Sequence, residues 1–144
     1  MSVPSLESAL RSVPFLATAG VRVEDARTGR VVLRLPFAEG MLAHGGTLHV
    51  GALFGLAETA AAVAIATHPS LTGHRVRQKS AKVKYYALAE RDVTAHAEIH
   101  VEELATAMDD LGDGVETTIE IVTRVFDSHG TDIAEVSSRF VLQP

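Results

Sequence analysis

Residues 93–101 alternate strictly, with Val93, Ala95, Ala97, Ile99 and Val101 on one side and Thr94, His96, Glu98 and His100 on the other. A period of two held over that length predicts a half-buried strand. Residues 50–66 behave differently. They are apolar almost all the way round a helical wheel, which predicts one long buried helix over 50–67, stopped by His68-Pro69. Before it, residues 5–12 read as a short helix ended by Pro14, and residues 21–26 and 30–36 as strands joined across Thr28-Gly29. Residues 40–46 form a glycine-bearing loop.

After the long helix the pattern is that of strands. Residues 75–86 alternate with a slip near Ser80, where a bulge is predicted. Residues 115–126 and 133–142 supply two more strands around a turn at 127–130, and residues 104–114 read as an acidic loop holding Asp109, Asp110 and Asp113. The order is helix, two strands, long helix, four strands. Short links favour an antiparallel sheet wrapped round the apolar helix, an α+β architecture in a single domain over residues 1–144.

Composition removes several classes of function. With no cysteine there is no disulfide, thiolate zinc site or cysteine nucleophile. Five Phe, two Tyr and no Trp argue against a stacking platform for bases, so no nucleic-acid partner is expected. The N-terminus lacks the basic start and unbroken apolar run of a signal peptide. The stretch 50–66 is interrupted by Gly51, Gly55, Glu58 and Thr59, short of the about 18 apolar residues a membrane span needs. A cytoplasmic protein with no membrane partner is the expectation. The seven His show no HExxH or comparable ligand spacing, and His96 and His100, ~13 Å apart on a strand, cannot share a metal. No metal and no cofactor are expected. Ser5, Ser8 and Ser12 lack the G-x-S-x-G setting of a serine nucleophile.

The net charge of -5 conceals a segregation. Residues 59–89 hold no acid but carry Arg75, Arg77, Lys79, Lys82 and Lys84, while residues 90–144 carry 13 acids against three arginines. A basic strip on an acidic protein is either a local anion site or a solvated strand face paired with acidic neighbours. In a straight strand Arg75, Arg77 and Lys79 share one face, and Lys82 and Lys84 the other.

Within the long helix Glu58 is the single ionisable residue, on a face shared with Gly51, Gly55 and Ala62. A carboxylate there is costly to bury unless it is used, reaches solvent or meets a strand arginine. The preceding loop, His44 to Gly51, delivers backbone N–H groups at a helix N-terminus, where an oxyanion can be held. Gly51 and Glu58 lie ~10 Å apart along the axis. A site using both needs one from each of two subunits.

Residues 47–60, T-L-H-V-G-A-L-F-G-L-A-E-T-A, resemble the G-T-x-H-G-G-A-L-F-x-L-A-[DE]-T-A signature of hotdog-fold acyl-CoA thioesterases of the phenylacetyl-CoA thioesterase (PaaI-like) type. The resemblance implies a hotdog fold, an antiparallel sheet as the bun around a central helix as the sausage, in a homodimer or homotetramer. It implies hydrolysis of acyl-CoA to a carboxylic acid and free CoA. Glu58 aligns with the catalytic carboxylate, which attacks the thioester or activates water. His49 aligns with the motif histidine and is expected to shape the loop, and the N–H near Val50 or Gly51 aligns with the donor to the thioester carbonyl.

Next to the central helix, the basic strand implies a place for the CoA phosphates. Lys82 and Lys84 are favoured over Arg77 and Lys79, because Ala81, Val83 and Tyr85 would face the helix. Two residues depart from the family pattern. Val50 replaces a glycine, and Ala43 stands where many members have an asparagine, with His44 beside it. These departures give weight to a non-catalytic acyl-CoA-binding or scaffold hotdog protein. A β-hydroxyacyl-thioester dehydratase built on His44 and Glu58 ranks lower, because the HFPxxPxxPG and D-x-N-P-x-H motifs are missing.

Overall fold

The computed structural model describes residues 2–144. Two short helices, α1 (Val3–Arg11) and α2 (Pro14–Ala19), lead into the hairpin β1 (Arg22–Arg27) and β2 (Arg30–Leu35). The long helix α3 (Val50–Ala66) follows, then β3 (Arg75–Tyr85), β4 (Val93–Glu98), α4 (Val101–Gly112), β5 (Thr117–Asp127) and β6 (Asp132–Gln143). All six strands form one antiparallel sheet in the order β1-β2-β4-β5-β6-β3. The connection from β2 to β3 therefore carries the chain past β4, β5 and β6 to the far edge of the sheet. Helix α3 makes that crossing, so it lies over the inner face of the strands between.

The α3 sequence explains how it fits there. Ala57, Ala60, Ala61 and Ala64 are fully buried, and such small side chains let the helix backbone approach the sheet closely. From below, Val31, Leu33, Leu35, Val93, Ala95, Ile119, Ile121 and Val125 complete the core. Their spacing of two is the alternation read along the strands.

Three segments depart from the pattern-based reading. The expected acidic loop at 104–114 is α4. Leu104, Ala107, Met108 and Leu111 recur at helical spacing and pack on the core, and the three aspartates occupy its solvent side and end. The alternating strand stops at Glu98, so β4 and β5 are linked by a helix rather than a short turn. Pro14 does not merely end the first helix; it begins α2 at the position where a missing N–H costs nothing.

The bulge expected near Ser80 is present and has a larger consequence. The register of β3 on β6 shifts between Gln78 and Ser80, leaving Lys79 as the extra residue. Before the shift Arg75 and Arg77 pair with Gln143 and Val141; after it Lys82 and Lys84 pair with Ser137 and Glu135. Those four β6 residues alternate with Ala134, Val136, Ser138, Phe140 and Leu142 and share one face, the one turned away from α3. Cross-strand partners point the same way. Arg75, Arg77, Lys82 and Lys84 therefore lie together on the outer face, which corrects the expectation that they divide between two faces.

Candidate active site

Helix α3 opens at His49, whose extended backbone makes it the N-cap. Its carbonyl accepts the N–H groups of Ala52 and Leu53, and its ring Nδ1 accepts the N–H of Gly51 at 2.8 Å. An acceptor at Nδ1 fixes the tautomer, with the ring proton on Nε2. Position 51 has to be glycine for this clamp, since a β-carbon there would fall 2.9 Å from Nδ1. The N–H of Val50 finds no acceptor among the described residues. Of the two donors expected at the helix head, Gly51 is engaged and Val50 is free.

The Val50 end borders a cavity of about 470 Å³ lined by Ala43, His49, Val50, Leu53, Tyr85, Tyr86 and Leu88, among others. Several of these are large apolar groups left open to solvent, with Leu88 72% and Tyr86 54% exposed. An apolar patch of that kind on a small protein marks a surface that meets a ligand or another chain.

Two turns along α3, Glu58 is half-buried at the lip of a second cavity, about 500 Å³, with Ala62, Ile65, Leu71, Val76, Gln78 and Phe140 in its walls. Burial alone raises its pKa; no charge and no hydrogen bond contributes. The strand-arginine partner that would make it an ordinary surface residue is not found among the described residues. A carboxylate held partly out of water and left without a partner retains a proton more readily, which suits a group that must take one up and return it. A larger depression of about 980 Å³ lies between α1, α2 and the first hairpin, but its Glu7 is already engaged by Arg11, Arg22 and the N–H of Val23.

The two cavities sit at opposite ends of β3. Val76 and Gln78 near its start line the Glu58 cavity, and Tyr85 at its end lines the Val50 cavity. Gln78 and Tyr85 stand across from Phe140 and Ala134, six rungs or ~20 Å apart. Within one chain the structure does not bring the free donor and the free carboxylate together.

Lys82 and Lys84 line neither cavity, and Arg77 and Lys79 do not either. His44 lies in the loop and lines neither cavity. His96 is half-buried with its ring edge-on to Phe126 at 5.3 Å, and burial lowers its pKa. His100 is the residue capping α4 rather than a strand position. Sequence reading did not find Leu71, Val76 and Phe140 as cavity walls, because the β3 to β6 pairing that assembles them leaves no local mark. Nor did it find Phe15. Its ring lies on Gly55, where a β-carbon would fall 2.8 Å from Cε2.

A six-stranded antiparallel sheet wrapped round one long helix, with these cavities at the helix ends, is the hotdog fold. No group of three metal-ligating side chains occurs among the described residues, and no described helix is long and apolar enough to cross a membrane. The chain belongs to the family of a domain of unknown function, DUF4442, whose model matches residues 6–142. Among solved structures it is similar to a Pseudomonas aeruginosa protein of unknown function, PA5026, described as a probable thioesterase, at 22% identity and a TM-score of 0.91 over 99% of this chain and 96% of that one. It is also similar to the thioesterase HI1161 of Haemophilus influenzae (14% identity, TM-score 0.78, 99% and 90% covered). Zebrafish thioesterase superfamily member 2 matches at 18% identity with a TM-score of 0.78, covering 98% of both chains. No curated protein matches the sequence.

Proposed function

We propose that the protein is an acyl-CoA thioesterase, of the type that residues 47–60 resemble, working as a homodimer or a pair of dimers. The observation that carries the reading is the placement of Glu58. It is an unpaired, half-buried carboxylate at the lip of a mainly apolar cavity, at the opposite end of the edge strand from the free Val50 N–H. Two copies of β3 paired antiparallel would lay the start of one strand beside the end of the other. Each Glu58 cavity would then meet the Val50 cavity of the partner, giving two equivalent sites.

In such a site the acyl group occupies the space beside Ala62, Ile65, Leu71, Val76 and Phe140, and the Val50 N–H donates to the thioester carbonyl oxygen. Glu58 takes a proton from water, and the water oxygen bonds to the carbonyl carbon. The C–S bond then breaks, and the proton returns to the departing CoA thiolate. Direct attack by the carboxylate is the other route; it passes through an anhydride that water then opens. His49 holds the loop and transfers no proton through Nδ1, which the Gly51 N–H occupies. Lys82 and Lys84, with Arg77 and Lys79, meet the CoA phosphates at the rim, outside the two cavities.

Free-thiol release from a panel of acyl-CoAs tests the reading, with turnover expected for at least one acyl class. Ala43, which lines the donor cavity without a polar side chain, favours the rival reading of a binding module. Tight binding of acyl-CoA with no thiol released from any member of the panel would establish that rival. Charge removal at Lys82 and Lys84 is expected to raise KM, more strongly at low salt, and to change kcat little. A short thioester lacking the nucleotide is expected to be unaffected.

A further inference from the structure

We propose that each end of the dimer seam carries a composite phosphate site, made of Arg75 and Arg77 of one chain together with Lys82 and Lys84 of the partner subunit. The proposal deepens the reading above and rests on its pairing of two β3 strands.

Within one chain these cations form two separate pairs. Standing across from Gln143, Val141, Ser137 and Glu135, the four span eight rungs of the ladder, ~27 Å, so one nucleotide cannot meet all four within one chain. The bulge at Lys79 nevertheless turns both pairs to the same outer face. Neither pair has a carboxylate partner: among the described residues none of Arg75, Arg77, Lys79, Lys82 and Lys84 takes part in an ion pair. Glu135, which stands across the ladder from Lys84, is engaged by Arg124 at 3.4 Å and by the hydroxyl of Tyr86 at 3.3 Å.

Strand β3 is an edge of the sheet and contains no acid. Any antiparallel pairing of two copies, whatever its register, therefore places cations near cations and offers no carboxylate to either strand. Like charges facing across a ladder are destabilising, and paired strands lie only about 5 Å apart. Antiparallel order brings the arginine pair of one chain beside the lysine pair of its partner, once at each end of the seam. Those ends are where a Glu58 cavity meets a Val50 cavity, since Val76 and Gln78 line the first and Tyr85 and Tyr86 the second. A thioester held between the inner cavities could pass its arm round the end of the seam, and its charged nucleotide would then lie on the outer face among four cations. A ligand bearing several phosphates turns the repulsion into attraction, and only the dimer can bind it this way.

This binding has a thermodynamic consequence. A ligand held only by the dimer must strengthen dimerisation, by about 100-fold per site when present at about 100 times its dissociation constant. The experiment is sedimentation equilibrium of the full chain in low salt, with and without free CoA. Subunit exchange between two fluorescently labelled populations replaces it where the dimer is too tight to dissociate. CoA is expected to tighten the dimer, or slow exchange, at least tenfold. Added salt without CoA is expected to tighten it too, by screening. Arg75→Gln/Arg77→Gln and Lys82→Gln/Lys84→Gln are each expected to abolish the CoA effect and flatten the salt dependence.

A dimer indifferent to CoA overturns the composite site, as does a CoA effect that survives either double substitution. Acyl-CoA hydrolysis in the same preparation separates the two claims. Turnover with unchanged dimerisation removes the composite site alone, while a chain that stays monomeric with CoA shows that the cations guard the edge against pairing and removes both.

Discussion

His49 and Gly51 close the head of α3 as a clamp, ring Nδ1 to backbone N–H at 2.8 Å, and this contact leaves Val50 as the free donor. His49→Ala removes an N-cap acceptor, so a stability loss of about 1 kcal/mol is expected. In a chain of this length that lowers Tm by about 2–4 °C. Turnover is expected to fall far less than for a change at Glu58. A thermal melt and one kinetic series check both halves, and a loss of turnover matching that of a Glu58 variant would give His49 a chemical role.

Glu58→Gln keeps the shape of the side chain and removes its charge. Loss of a positioned base is expected to lower kcat by about 10² to 10⁴. The same substitution is expected to raise Tm at pH 8, because the carboxylate is partly buried and unpaired. A raised folded-state pKa means that wild-type stability falls as pH climbs from the unfolded value through the folded one. The Tm difference is therefore expected to shrink toward acid, where Glu58 is protonated and resembles glutamine. A variant less stable than wild type at pH 8 would mean that the charge has a partner.

The same displacement is expected to set the acid limb of activity. With burial as its cause, the limb in kcat/KM is expected above the ordinary glutamate value of about 4.3. It is expected to be missing from the residual activity of Glu58→Gln. A pH profile across the acid range checks this, and a limb at the ordinary value would show that the working carboxylate is fully solvated.

Phe15 and Gly55 form a coupled pair. Alanine for glycine inside a helix is ordinarily worth about 1 kcal/mol. Here the new β-carbon would approach the Phe15 ring to 2.8 Å. The gain is expected in the Phe15→Ala background and to be reduced or reversed with Phe15 present. Denaturant unfolding of the four chains of the cycle measures the difference. Equal gains in the two backgrounds would show that the ring moves aside without cost.

Local pattern revealed more of this protein than long-range pairing did. The strict alternation at 93–98 and the almost wholly apolar wheel at 50–66 each state their own environment, and the slip in alternation at Ser80 marked a real bulge. Helix α4 was hidden because three aspartates within five residues look like a solvated loop, whereas its apolar stripe, Leu104 to Leu111, is only four residues wide. Glu58 stood out as the lone charge of its helix. Its cavity did not, since Leu71, Val76 and Phe140 meet it only through the fold. The faces of the basic strand were misassigned because one extra residue reverses every side chain beyond it.

The central claim is that donor and carboxylate come from different subunits, and chain mixing tests it most directly. Val50→Pro deletes the free N–H at the first helical position, where proline is tolerated, and Glu58→Gln deletes the base. Each variant alone is expected to be nearly inactive. When the two chains are co-expressed with different tags, half of the dimers are mixed, and each mixed dimer holds one intact site. The mixture is then expected to recover about a quarter of wild-type turnover. Purified mixed dimers as inactive as either parent would contradict the account.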